Sequence, residues 1–81
     1  MKILKFYSKT CGPCKALERN LKKTSIVYED IEISSDEGAK LAEEYGIMSI
    51  PTLVKIDGDK VDIKHGVLSS EDLEKWAQTS I

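Results

Sequence analysis

The two cysteines of this chain stand three residues apart, at a point where a strand pattern gives way to a helical one. Residues 3–7, Ile-Leu-Lys-Phe-Tyr, form an apolar strand pattern, and residues 16–21 begin a helical one. Between them lies the stretch Thr10-Cys11-Gly12-Pro13-Cys14-Lys15. This placement predicts that both thiols sit where a strand turns into a helix. It indicates a dithiol that cycles with a disulfide.

The spacing of the two cysteines suits stepwise disulfide exchange. Cys11 is expected at the helix N-terminus, where unpaired backbone N–H groups and the helix dipole favour the thiolate that attacks disulfides. Lys9 and Lys15 add positive charge nearby. Cys14 is expected one turn inside the helix, within bridging distance of Cys11. We therefore predict that Cys11 attacks a substrate disulfide and that Cys14 then resolves the mixed disulfide.

Length and composition limit the other possibilities. The chain has 81 residues, so we expect residues 1–81 to form a single domain. The net charge is −2, with acidic and basic residues interspersed, so a nucleic-acid partner is not expected. No apolar run approaches the ~20 residues of a membrane helix, and no signal peptide is evident. We expect a cytoplasmic protein, and in that compartment a lone cysteine pair is rarely a structural disulfide.

Hydrophobic periodicity and turn residues predict seven elements in the order β-α-β-α-β-β-α. The expected fold class is α/β, with a four-stranded mixed sheet covered by helices on both faces. Asp57-Gly58 predicts a tight hairpin turn between the last two strands. The predicted strands are at about 2–7, 26–33, 52–56 and 60–65, and the predicted helices at about 11–23, 36–45 and 71–79.

The first helix is predicted to be amphipathic. Leu17 and Leu21 lie four residues apart and form its buried face. Glu18, Arg19 and Lys22 are expected to turn away from that face, toward solvent.

The cysteine motif with Lys15 resembles the active site of thioredoxins. The resemblance continues in residues 45–53, Tyr-Gly-Ile-Met-Ser-Ile-Pro-Thr-Leu, which are similar to the thioredoxin segment that carries a cis-proline. The hairpin turn at Asp57-Gly58 and the glycine loop at 66–69 also resemble that family. Nearly the whole chain is covered, without the N-terminal strand and helix of full-length thioredoxins. That starting point and length are closer to glutaredoxins and to small redoxins that serve ribonucleotide reductase.

The resemblance implies a thioredoxin-like fold that reduces protein disulfides. It implies a cis Ile50–Pro51 bond packed against the dithiol, and backbone beside it that pairs with an extended substrate strand. It further implies no bound cofactor, electrons from a flavin-dependent thioredoxin reductase, and disulfide-containing protein substrates, with ribonucleotide reductase among the candidates. We expect a monomer. The implied docking residues are Thr10, Gly12, Ser49, Ile50, Gly66 and Val67.

Three departures from the thioredoxin pattern stand out. Thr10 replaces a tryptophan, so the docking surface is expected to be smaller and more polar. Arg19 replaces a helix proline, so no kink is expected there. Lys5 replaces a buried aspartate, and Asp30 replaces the lysine that accompanies it. We hypothesise a charge-swapped Lys5–Asp30 pair under the dithiol, in which a neutral lysine could accept the proton of Cys14.

Two kinds of alternative are kept. A glutaredoxin-like protein fed by glutathione shares the chemistry, but glutaredoxins usually carry a Gly-Gly-Asp pattern where this chain has only Gly66. A non-catalytic thioredoxin-fold binding module, or a zinc-binding module, belongs to a different class. Zinc needs about four ligands, and His65 is the only other strong candidate beside the two cysteines.

Overall fold

The structure is a computed structural model, and it describes residues 1–79. Its strands and helices follow the predicted order β-α-β-α-β-β-α. The strands are β1 (Lys2–Tyr7), β2 (Glu29–Glu32), β3 (Thr52–Asp57) and β4 (Lys60–His65). The helices are α1 (Gly12–Lys22), α2 (Asp36–Glu44) and α3 (Ser70–Gln78).

The sheet has the strand order β2-β1-β3-β4. β1 runs parallel to β2 and antiparallel to β3, and β3 and β4 form an antiparallel hairpin. Thr52 pairs with Phe6 on one side and with His65 on the other. Pro51, just before β3, and Gly66, just after β4, therefore lie at the sheet edge where β1 leads into the cysteine motif.

Side chains alternate across β1 and divide the core into two layers. Ile3 points to the face covered by α1 and α3, whereas Leu4 and Phe6 point to the face covered by α2. The predicted cover of helices on both faces is thus confirmed. The first layer is built from Ile3, Leu17, Leu21, Leu53, Leu73 and Trp76. The second is built from Leu4, Phe6 and Val54, with Leu41, Ala42 and Tyr45 of the α2 region packed against them.

The second strand is shorter than its alternating pattern predicts. Residues 26–33 are predicted as a strand, but the ladder extends only over Glu29–Glu32. The Thr24 hydroxyl donates to the Leu21 carbonyl at 2.6 Å and accepts from the backbone N–H of Ile26 at 3.2 Å. This turn leaves Ile26 and Tyr28 packed against the core while Val27 is exposed. Ile26 and Tyr28 therefore belong to a loop that covers the core and not to the strand.

Side-chain caps define where the helices start. The Ser35 hydroxyl accepts a hydrogen bond from the Gly38 N–H at 2.9 Å, and the Ser69 hydroxyl accepts one from the Asp72 N–H at 3.2 Å. Such a cap contributes about 1 kcal/mol. Gly46, with a φ of 66°, follows the end of α2. Among residues 1–79, no helix has the length and apolar composition needed to cross a membrane.

A buried lysine that the sequence did not single out holds the end of α3. Lys55 of β3 is fully buried, and its ammonium donates to the carbonyls of Trp76 at 2.5 Å and Thr79 at 2.7 Å. The same ammonium lies 4.9 Å from the centre of the Trp76 ring. A cation at a helix C-terminus is favourable because the carbonyls there carry partial negative charge. Lys55 therefore ties the sheet to α3.

Candidate active site

Cys11 and Cys14 form a disulfide at the start of α1, with their Cα atoms 5.3 Å apart. Cys11 is the N-cap residue of this helix, with extended backbone angles (φ −86°, ψ 109°). Its Sγ accepts a hydrogen bond from the Cys14 backbone N–H at 3.1 Å. Pro13 occupies the first turn, where its missing N–H costs nothing. The sulfur of Cys11 thus takes the position of a helix-capping oxygen.

The two cysteines differ in exposure. Cys14 is only 3% exposed, whereas Cys11 is partly exposed and its neighbours Gly12 and Pro13 are open to solvent. An incoming disulfide can therefore approach Cys11 and not Cys14.

The loop before β3 lies at the same edge of the sheet. The Ile50–Pro51 peptide bond is cis, as the resemblance implies, and Pro51 is buried. The Ser49 carbonyl accepts from the Thr52 hydroxyl at 2.7 Å. The Pro51 carbonyl accepts from the Gly66 N–H at 2.9 Å. Two of the segments expected to dock substrate are therefore hydrogen-bonded to each other.

The side chains around this edge are open to solvent to different degrees. Thr10 and Ser49 are exposed, Ile50 is partly buried, and Val67 is 45% exposed. Met48, which is not among the implied docking residues, is 96% exposed beside them. An apolar groove of about 400 Å³ extends from this loop toward α2, with walls that include Ile33, Ala42, Ile47, Met48 and Ile50.

Lys5 and Asp30 form an ion pair beneath the helix start. The two residues are register partners on the parallel strands β1 and β2, and their Nζ and Oδ1 atoms are 2.8 Å apart. Lys5 is only 3% exposed. Its ammonium also lies 5.2 Å from the ring centre of Tyr7 and 5.3 Å from that of Tyr28. The ammonium of Lys5 is thus enclosed by one carboxylate and two aromatic rings.

Glu18 joins this group, contrary to the expectation that it turns away to solvent. Its Oε1 lies 4.0 Å from the Nζ of Lys5 and 3.8 Å from that of Lys22. The signal that could have found it is its spacing, because Glu18 lies four residues after Cys14 and so on the same side of α1. A cavity of about 160 Å³ is bordered by Lys5, Cys14, Glu18 and Asp30.

The charges around Lys5 act on a neighbouring phenol. Burial raises the pKa of Tyr28 above its ordinary value. Lys5 opposes this shift, whereas Asp30 and Glu18 increase it. The Tyr28 phenol therefore stays protonated at neutral pH.

Similarity to known proteins agrees with this geometry. The family model for thioredoxin matches residues 1–79. A thioredoxin of Rickettsia typhi is 33% identical over 84 residues, which cover 98% of this chain and 80% of that protein. The chain belongs to the thioredoxin family. Thioredoxin 1 of Synechococcus elongatus is 32% identical over 76 residues, covering 88% of this chain and 71% of its own.

Solved thioredoxin structures superpose on the chain. A mutant thioredoxin of Halobacterium salinarum is 30% identical, with a TM-score of 0.77 and coverage of 98% of this chain and 74% of that one. Thioredoxin-2 of a malaria parasite is 22% identical, and its TM-score of 0.80 over 94% of this chain and 79% of that one shows the shared fold. As a member of the thioredoxin family, the chain is a thiol-disulfide oxidoreductase. It carries electrons to protein disulfides through its active-site disulfide Cys11–Cys14.

The ligands that a zinc site would need do not come together around the thioredoxin motif. His65 is exposed at the end of β4, and its Nδ1 lies 3.2 Å from the Thr52 hydroxyl. Across residues 1–79, no group of three or more His, Cys, Asp or Glu side chains is placed to hold a metal ion.

Proposed function

We propose that Cys11 is the nucleophile and Cys14 the resolving residue of this oxidoreductase. The observation that carries the proposal is the hydrogen bond from the Cys14 N–H to the Cys11 sulfur at the start of α1. After reduction, the same N–H and the positive end of the helix dipole would stabilise a thiolate at Cys11. Cys14, being buried, reacts only with the sulfur beside it.

Each turnover then consists of two exchanges. The Cys11 thiolate attacks one sulfur of the substrate disulfide, forms a mixed disulfide and releases the other substrate sulfur as a thiolate. Cys14 loses its proton and attacks the Cys11 sulfur, which releases the second substrate sulfur. The substrate disulfide gains two electrons and the Cys11–Cys14 pair loses two. The chain is returned to its dithiol form by an external reductant.

The substrate is proposed to dock as an extended strand beside the loop that precedes Pro51. Ser49 and Ile50 would offer backbone groups to it, next to the Gly66–Val67 segment. Support for this comes from the Gly66 N–H bond to the Pro51 carbonyl, which fixes the two segments together. Thr10 and Gly12 would border the substrate from the cysteine side.

The supporting residues of this proposal surround the disulfide. Pro13 shapes the first turn of α1, and Pro51 forms a buried wall at the edge of the sheet. Lys5 and Asp30 are proposed to support Cys14 from below, since both border the cavity beside it.

The proposed electron donor is a flavin-dependent thioredoxin reductase, and the proposed acceptors are disulfide-containing proteins. Ribonucleotide reductase is one candidate acceptor. We propose that residues 1–81 act as one monomeric domain in the cytoplasm. The thioredoxin-family match over residues 1–79 supports this choice over a glutaredoxin-like protein fed by glutathione.

The test of this function is reduction of insulin by dithiothreitol, followed as precipitation of the insulin B chain. The wild-type chain should accelerate precipitation. Neither Cys11→Ser nor Cys14→Ser should catalyse repeated rounds of insulin reduction. A parallel zinc titration checks the binding-module alternative. Absence of acceleration, together with one zinc ion retained per chain, would contradict the proposed function and favour a metal-binding module.

A second assay identifies the electron donor. NADPH oxidation is measured with insulin as acceptor, with either a flavin-dependent thioredoxin reductase or glutathione and glutathione reductase as donor. We expect turnover with the first system and little with the second. The reverse pattern would favour the glutaredoxin-like alternative.

A further inference from the structure

The cavity beside Cys14 is bordered by two carboxylates, those of Glu18 and Asp30, and by three lysines, of which only Lys5 is buried. Lys5 is the one buried cation there, and both Asp30 and Glu18 approach it. Asp30 holds the ammonium at 2.8 Å, whereas Glu18 stands at 4.0 Å. Asp30 is thus bound as the direct ion-pair partner. Both ion-pair contacts of Glu18 involve its Oε1, at 4.0 Å from Lys5 and 3.8 Å from Lys22, and they leave its Oε2 to accept a proton.

Glu18 is also the carboxylate that shares a helix with Cys14. The two residues lie four positions apart on α1, a spacing that brings side chains onto the same face. Both border the same cavity of about 160 Å³, which has room for water between them. The side chain of Glu18 is 40% exposed, so a proton taken up there can pass on to solvent.

From this arrangement we propose that Glu18 is the proton acceptor for Cys14 in the resolving step, with Lys5 holding its carboxylate toward the cavity. The inference rests on the proposed roles of Cys11 and Cys14. It differs from the hypothesis that a neutral Lys5 takes the proton, because here Lys5 is the ion-pair partner of Asp30 and Glu18 and the carboxylate of Glu18 takes the proton.

The step balances as one proton transfer coupled to one disulfide exchange. The Cys14 thiol gives its proton to the Glu18 carboxylate, directly or through one water molecule. The resulting thiolate forms a bond to the Cys11 sulfur, and the bond between Cys11 and the substrate sulfur breaks. The substrate leaves as a thiolate, and the proton on Glu18 passes to that thiolate or to solvent.

A single-turnover reaction with a chromogenic aromatic disulfide, dithiobis(nitrobenzoate), separates the two exchanges. The reduced protein releases one coloured thiolate when Cys11 attacks and a second when Cys14 resolves. We expect Glu18→Gln to slow the second release roughly tenfold at neutral pH and to leave the first unchanged. A positioned general base contributes about a hundredfold or more, and we expect less from Glu18 because its side chain is 40% exposed.

The pH profile separates proton transfer from a structural role. If a carboxylate accepts the proton of Cys14, the rate of the second release in the wild type should fall at acid pH, and Glu18→Gln should lose that dependence. Glu18→Asp, which keeps a carboxylate, should retain it. The other titratable groups around Glu18 are unchanged in these variants. They are Lys5, Tyr7, Lys9, Lys15 and Asp30 at the cavity, Lys22 on the same helix and Tyr28 beside Lys5.

Control variants show whether a slower second release is specific to Glu18. Glu74→Gln, at an exposed position of α3, is the matched control and should leave both releases unchanged. The assignment of Glu18 would be overturned if Glu18→Gln left the rate of the second release unchanged. It would also be overturned if Asp30→Asn slowed the second release and Glu18→Gln did not. Equal slowing of both releases with an unaltered pH profile would overturn it as well. A wild-type protein that gives no second release would instead contradict the proposed roles of the cysteines.

Discussion

The Cys11 sulfur accepts a hydrogen bond of 3.1 Å from the backbone N–H of Cys14. The residue that caps α1 is therefore the one that we propose as the nucleophile. A serine or aspartate would cap this helix equally well, so capping alone does not require a cysteine here. The sulfur adds reactivity at a position where the helix already favours negative charge.

Substrate docking can be tested at Val67 without altering the cysteines. Val67→Asp places a charge on the proposed docking surface, so we expect the KM for insulin to rise about fivefold to tenfold. The reaction with a small aromatic disulfide should keep its rate. Val61→Asp is the matched control, because Val61 has nearly the same exposure (42% against 45%) but lies near the hairpin turn of β4. Equal effects of the two variants on insulin reduction would contradict the proposed docking surface.

Gly38 should resist replacement by alanine, although it lies within a helix. Alanine in a helix normally adds about 0.5–1 kcal/mol of stability relative to glycine. Here an added Cβ would collide with the backbone carbonyl of Glu32 and lie 2.8 Å from the Ser35 hydroxyl. We expect Gly38→Ala to lower the free energy of unfolding by about 1–3 kcal/mol, measured by urea denaturation. Gly12→Ala, whose Cβ meets no atom within 4 Å, should lower it little. Equal effects at both positions would contradict this packing.

Glu32 should make stability depend on pH. The Ser34 hydroxyl, with the backbone N–H groups of Ser34 and Ser35, donates to its carboxylate and holds the pKa of Glu32 below its ordinary value. A pKa that is lower in the folded than in the unfolded state stabilises the fold above the unfolded pKa. This contribution is lost as the pH falls through the folded pKa.

Ser34→Ala removes the hydroxyl hydrogen bond, which contributes most to the lowered pKa of Glu32. The variant should be less stable than the wild type at neutral pH, and the difference should shrink as the solution is acidified. Urea denaturation across this pH range measures it. Ser25→Ala, at an exposed loop position, provides the control and should show no such trend. A Ser34→Ala difference that is constant with pH would contradict the stated cause.

Much of the fold could be predicted because local signals and the tertiary structure agree. The apolar run of β1 is buried on both faces, as is the face of α1 that carries Leu17 and Leu21. Ser35 and Ser69 cap helices as serines commonly do. The cysteine motif could be assigned because its spacing and its position before a helix leave few other uses for it.

The remainder depends on long side chains whose targets lie far away in sequence. Glu18 falls on the polar side of its helix by periodicity, yet it reaches Lys5 across the cavity. Lys55 looks like an exposed strand residue, yet the carbonyls at the end of α3 allow it to be buried. The short β2 likewise depends on the turn made by Thr24. Periodicity carries no information on these contacts.

The most direct test of the proposed cysteine roles is to trap the mixed disulfide and find which sulfur carries it. Cys14→Ser and Cys11→Ser variants are each mixed with a disulfide-containing protein, quenched with acid and examined by mass spectrometry without reductant. We predict that Cys14→Ser accumulates a one-to-one mixed disulfide through Cys11, and that Cys11→Ser forms far less because Cys14 is buried. Equal or greater trapping through Cys14 would contradict the account.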